Sequence, residues 1–292
     1  MNKESSIISS VTVGKNADVY KGILELASRF GYLSVQEVEY LTGCSRVTAM
    51  NRLHYLAGRK KLLQKFDSLT RPANFYSLTY HGREMVQHLG LSDELNCFVP
   101  SDYRLFWQNH QRLLIRTFIA FRKMFGSQFA GWVSESQLRK EYTQTRVVDG
   151  EFYLNGLDSG FRRNDDKEKN NCGTWIPIHE EMPSKLKCWV ELELSLKSPA
   201  RYRDQFKKLA DQVYDSFSKV QIIHHLFFLS GSQAIQERLK GYVSRNEWGE
   251  CGTHFLRAHE FFSNLGETQV ESLKCGSTNK ILMKEIMEAR QT

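Results

Sequence analysis

Apolar residues recur at helical spacing early in the chain: Val19, Ile23, Leu24, Leu26, Ala27 and Phe30 mark one face of a helix. Gly31 ends it. Ser34, with Glu37 three residues later, has the N-cap and capping-box chemistry of a second helix. Its inward residues are Val35, Val38 and Leu41, and Gly43 closes it. Ser45 opens a third helix, with Val47, Ala49, Met50, Leu53 and Leu56 as the expected buried stripe. After Gly58 the period changes from helical to alternating. Leu62–Phe66 and Asn74–Leu78 read as two short strands around a turn, Ser68–Ala73, that contains Pro72. Thr79 caps a last helix over Tyr80–Leu89.

Asp102–Phe125 is a long amphipathic helix with Phe106, Leu113, Leu114, Phe118 and Phe121 inward. Three strand patterns follow, Gln128–Ser134, Arg146–Asn155 and Lys187–Leu196. A helix over Arg201–Lys219, a buried strand over Ile222–Leu229 and a helix over Gln233–Ser244 complete the pattern. Asn155–Asn171 is nearly devoid of core residues and predicts an exposed loop. The expected class is α+β, with a mixed sheet in the second domain. The expected division is 1–92, a connecting helix 93–126, a second domain 127–245 interrupted by the loop 155–171, and an extension 246–292 with a final helix near Lys280–Ala289.

At 292 residues, 41% hydrophobic and 25% charged, the chain suits two folded domains. It has no apolar run long enough to span a membrane, and Met1–Ser10 has no signal-peptide pattern, so a cytoplasmic location is expected. The six cysteines form no CxxC pair, and Cys251 with His254 and His259 lacks the fourth ligand of a zinc site. The net charge of +7 is unevenly spread. Between Ser45 and Arg83 stand Arg46, Arg52, Arg59, Lys60, Lys61, Lys65, Arg71 and Arg83 against the single acid Asp67. Such a one-sided block suits nucleic acid before a membrane surface.

The stretch "LSVQEVEYLTGCSRVTAMNRLHYLAGRKKLLQK…ANFYSLTYHGREMV" resembles winged helix-turn-helix DNA-binding domains. The resemblance implies that the third helix enters the major groove of double-stranded DNA. Ser45, Arg46, Thr48, Asn51, Arg52 and Tyr55 would face the bases, while Lys60, Lys61 and Arg71 would hold phosphates. A minority of such domains bind protein instead, and the charge block favours DNA.

Alternation along Trp189–Lys197 puts Val190, Leu192, Leu194 and Leu196 on one sheet face and Glu191, Glu193 and Ser195 on the other. Two carboxylates on one face suit either a solvated edge or a divalent cation between them. Asp149, before Gly150, reads as a turn residue or a third ligand, and Glu135 follows the Trp132–Val133 strand end. The pattern "WVSESQLRKE…RVVDGEFYL…CWVELELSLKSPARYRDQFKKL" resembles the restriction-endonuclease-like, or PD-(D/E)xK, nuclease core. Behind a winged helix it resembles, more narrowly, the replication-relaxation and MobC-type plasmid mobilisation proteins.

The resemblance implies that Asp149, Glu191 and Glu193 hold Mg²⁺ or Mn²⁺, with Glu135 as an accessory residue. It implies DNA nicking at an origin of transfer or replication, with mobilisation or conjugation proteins as partners. One departure stands out: the lysine expected two residues after Glu191 is Glu193. Lys197 is the nearest lysine, about 13 Å further on if the strand stays extended. Arg201, Arg203 and Lys207 are the other cations at hand, and Tyr142 and Tyr202 are tyrosines near the site. Metal-assisted hydrolysis is preferred over tyrosine attack. The alternative is a catalytically inactive DNA-binding regulator or accessory protein with a decayed nuclease domain.

Overall fold

The computed structural model describes residues 15–67, 74–92, 105–141, 147–155, 185–217, 223–246, 248, 251–264, 269–274 and 277–282. They fall into two compact units, and the division lies between Ile119 and Ala120, with Arg139–Glu141 grouped with the first.

The first unit opens with α1 (Ala17–Phe30), which buries Ile23, Leu24, Leu26, Ala27 and Phe30 and stops at Gly31 in the left-handed region, φ 77°. Strand β1 (Leu33–Ser34) leads into α2 (Val35–Thr42). The capping box forms as its sequence requires: the Ser34 amide donates to Glu37 Oε2 at 2.9 Å while Ser34 Oγ accepts from the helix. Gly43, φ 65°, ends α2, and Ser45 caps α3 (Arg46–His54). A π-turn over Tyr55–Arg59 follows, where a regular helix was expected.

Strands β2 (Leu63–Asp67) and β3 (Asn74–Leu78) pair antiparallel, and β1 pairs with the other edge of β3, giving the order β1-β3-β2. Thr79 then caps α4 (Tyr80–His88). Helix α5 (Leu105–Phe125) carries Arg112, whose Nε lies 3.1 Å from the buried Glu37.

The expected stripe of α3 is corrected. Ala49, Leu53 and Leu56 are fully buried, but Val47 is 63% and Met50 37% exposed. At 100° per residue, positions 49, 53 and 56 already make a complete stripe, with 47 opposite it and 50 on its flank. Apolar character alone did not fix the phase of the helix.

The second unit contains a seven-stranded mixed sheet. Strands β4 (Phe129–Ser134), β5 (Gly150–Asn155) and β6 (Lys185–Glu193) pair in that order, each antiparallel to the one before, with α6 (Glu135–Glu141) after β4. Helix α7 (Pro199–Phe217) then crosses to β7 (Ile223–Ser230), which is parallel to β6. Helix α8 (Gln233–Val243) crosses to β8 (Gly252–Arg257), which is parallel to β7. After α9 (Ala258–Ser263), β9 (Gln269–Lys274) and β10 (Ser277–Leu282) close the edge as an antiparallel pair. Two expectations change here. The chain beyond 246 supplies strands to the same sheet, and Lys280 lies in β10 rather than in a helix.

One sheet face packs Trp189, Phe228 and Phe255 against Tyr202, Phe206, Leu209 and Val213 of α7 and Leu239 and Val243 of α8. On the other face Phe152 and Phe227 of the sheet and Phe261 of α9 surround Phe121 of α5, with ring centroids 4.7–5.2 Å from it. Among the described residues no helix is long and apolar enough to cross a membrane.

Candidate functional site

The antiparallel register of β5 and β6 pairs Gly150 with Val190 and Glu151 with Trp189. Carried one residue further, it sets Asp149 opposite Glu191. The β4–β5 register pairs Ser134 with Gly150, so the same step sets Glu135 opposite Asp149. Asp149 and Glu135 thus lie one residue beyond the paired part of β5 and β4, at the end of the sheet where Glu191 stands on β6. Glu135 is the first residue of α6. Asp149 is fastened there: its Oδ2 accepts from the Leu192 amide at 2.6 Å. Gly150 beside it has no room for a side chain, since a Cβ would come 2.2 Å from the Trp132 ring.

Glu191 and Glu193 are each 2% exposed and share the α7 face of β6. Glu191 Oε1 accepts from Gln205 Nε2 at 2.9 Å. Strand β6 ends at Glu193 and the chain bends at Ser195, so the strand is shorter than its sequence pattern predicts. The Gly231 amide donates to Glu193 O at 2.9 Å and holds this turn. The bend carries Lys197 back, and its Nζ forms an ion pair with Glu193 and donates to Gln205 Oε1 at 3.0 Å. Distance along an extended strand therefore does not separate Lys197 from the acids. Gln205, on α7, is bound to both Glu191 and Lys197, and sequence reasoning missed it. A polar residue on the inner stripe of α7, between Tyr202 and Phe206, was the available signal.

Glu193 consequently sits with Lys197 and not with a third ligand. Among the described residues no group of three or more His, Cys, Asp or Glu side chains is placed to hold a metal ion. Asp149, held on the Leu192 amide, and Glu191, held by Gln205, remain as the two candidate oxygen ligands. Such a pair fits Mg²⁺, which binds through one or two protein carboxylates and fills its other positions with water and phosphate oxygens.

A second acid–base group lies on the same face. Glu151 is buried and accepts from Trp189 Nε1 at 2.7 Å and from the Tyr153 hydroxyl, and it pairs with Lys187 at 2.8 Å. The alternating pattern of β5 placed Glu151 on a strand, but its partner is assigned only by cross-strand register.

The remaining expected residues are dispersed. Arg201, Arg203 and Lys207 are exposed on α7. Tyr202 is fully buried, and its hydroxyl donates to Ser195 O at 3.3 Å. Burial, and then the nearby Glu193, push its pKa above the usual tyrosine value, which makes it a poor nucleophile. Tyr142 lies outside the described residues. His254 is buried beside His225, with Nε2 and Nδ1 2.9 Å apart, while Cys251 is buried and His259 is exposed on α9.

In the first unit, Ser45, Arg46, Thr48 and Asn51 are exposed on α3. Arg52 and Tyr55 are half-buried. Arg52 donates to Asn16 Oδ1 at 3.4 Å, and Tyr55 stacks on Tyr20 with centroids 5.3 Å apart. Both flank the buried stripe, which explains their partners within the fold. Lys60 lies 5.5 Å over the Tyr55 ring and Lys61 is exposed. Arg71 lies outside the described residues. Comparison of the chain with protein-family models, with curated proteins and with solved structures finds no match.

Proposed function

We propose that the protein binds double-stranded DNA through its first unit, a winged helix-turn-helix, and nicks it with its second, a restriction-endonuclease-like domain, as a relaxase-like endonuclease of a mobile element. The observation that carries the reading is that Asp149 is held on the Leu192 amide, next to Glu191 in the chain near the carboxyl end of β6, with Lys197 folded back onto Glu193. Ligands of sheets with parallel strands bind beyond the carboxyl ends of those strands. The order α5-β4-α6-β5-β6-α7-β7 contains, apart from the short α6, the helix–strand–strand–strand–helix–strand order of such a nuclease core.

Within this reading Asp149 and Glu191 would hold Mg²⁺ or Mn²⁺, which supplies charge stabilisation at the scissile phosphate when bound. Gln205 orients Glu191 and holds Lys197, and Glu193 anchors Lys197 as the cation of the site. The positive block around α3 attracts the phosphate backbone and positions the duplex.

A second reading has its own observation. Glu193 is already paired with Lys197 and Glu191 with Gln205, as in a site that has given up metal binding. The protein would then be a DNA-binding regulator or a mobilisation accessory protein. Incubation of the intact chain with supercoiled DNA carrying its recognition site separates the two. Open circles formed with Mg²⁺ or Mn²⁺ and suppressed by a chelator support the endonuclease. Tight binding that leaves the circles supercoiled with both metals supports the regulator.

A further inference from the structure

The face of α3 that the fold leaves uncovered is composed in an unusual way. Val47, Met50, Asn51 and His54 stand at helical positions i, i+3, i+4 and i+7, centred opposite the buried Ala49, Leu53 and Leu56. Val47 and Met50 are two of the four large apolar side chains exposed among the described residues, and the core has no use for them. The surround is cationic. Arg46 precedes Val47, Arg59 is exposed at the end of the π-turn and Lys61 just beyond it, and Lys65 is exposed on β2. Helix α3 itself carries no acid. Two isolated apolar groups inside a ring of positive charge are too few for the apolar centre of a protein interface, which is moreover depleted in lysine. They suit a surface with anionic edges and small methyl groups on its floor, and the major groove of DNA at A·T pairs is such a surface.

We infer that this face reads A·T base pairs, with Val47 and Met50 packing on thymine 5-methyl groups and Asn51 taking the N6 and N7 of a neighbouring adenine. The inference rests on the DNA-binding reading of the first unit and adds to it the class of sequence recognised. It makes Val47 and Met50 specificity residues, which charge and hydrogen-bonding arguments alone pass over. The cations around them fix position without choosing sequence.

The test selects duplexes from a randomised library with the intact chain, in chelator so that no strand is cut. Uracil then replaces thymine at each selected position, which removes the methyl group and nothing else. The expected result is a selected site containing A·T pairs, with one or two thymines whose replacement weakens binding about fourfold each. In the Val47→Ser/Met50→Ser variant, whose changes are on an exposed helix face, the same replacement has no effect. Lys60→Ala with Lys61→Ala weakens all sequences alike. Tight, selective binding that is indifferent to uracil at every position overturns the inference and leaves the DNA-binding reading standing. Failure to bind any duplex at low salt overturns both, and leaves the α3 face to a protein partner.

Discussion

Asp149 accepts the Leu192 amide hydrogen at 2.6 Å, which ties the acid that precedes β5 to the strand that carries Glu191. The bond does structural work and also fixes where the carboxylate stands. Asp149→Ala leaves the amide without its acceptor and is expected to cost about 1–3 kcal/mol in urea unfolding. Asp149→Asn keeps an accepting oxygen and most of that stability, but removes the charge. Nicking should fall in both variants and stability only in the first. Equal stability of the two would show that the amide does not depend on Asp149.

Glu151 and Lys187 form a buried pair deeper on the same face. Lys187→Met leaves the Glu151 charge uncompensated, and a loss of about 3–5 kcal/mol is expected. Adding Glu151→Gln should restore most of it, so that denaturant midpoints of the four proteins give a large coupling energy. Additive losses would show that the two side chains act independently.

Gly150 and Gly82 are packing constraints of different rigidity. At Gly150 an added Cβ meets the Trp132 ring at 2.2 Å, and at Gly82 it meets the Leu62 carbonyl oxygen at 2.1 Å. Both alanine variants should be destabilised by about 1–3 kcal/mol. Gly150→Ala should also shift tryptophan emission, since the indole must leave its stack on Phe152. Unchanged emission would mean that the strand moves instead.

Much of this arrangement was readable in the residues, and the exceptions have physical reasons. Local chemistry announced itself: Ser34 with Glu37, Gly31, Gly43, Ser45 and Thr79 all act as caps where the pattern put them. So did the alternation that puts Glu191 and Glu193 on one face. The phase of α3 was not readable, because Val47 and Met50 are apolar without being needed by the core. The end of β6 was not readable either. Leu194 and Leu196 continue the alternation, but the chain turns after Glu193, and Leu196 is 56% exposed. That turn decides whether Lys197 is remote from the acids or bonded to one. The partners of Glu151 and Glu191 come from cross-strand register and helix placement, which no local window contains.

Burial pushes the Cys251 thiol from 9.0 up to about 12. A folded state that holds this proton more tightly than the unfolded chain is stabilised fully below pH 9, and the contribution is lost as pH rises from there to about 12. Tyr40, Tyr76 and Tyr202, raised by burial, act in the same sense at higher pH. Stability should therefore fall with rising pH in the alkaline range, and Cys251 should resist alkylation at pH 8–9 until the chain unfolds. Mass mapping of alkylated peptides checks this, and rapid labelling of Cys251 in the folded protein would contradict it.

Comparing the nicking rate of the intact protein with that of Glu191→Gln, at matched occupancy of the same supercoiled DNA in Mg²⁺, tests the proposed site most directly. The substitution keeps the bond to Gln205 within reach and removes only the charge that would hold a cation. The expected result is unchanged DNA affinity with nicking slowed about a thousandfold. Nicking at the parent rate would contradict the assignment of Glu191.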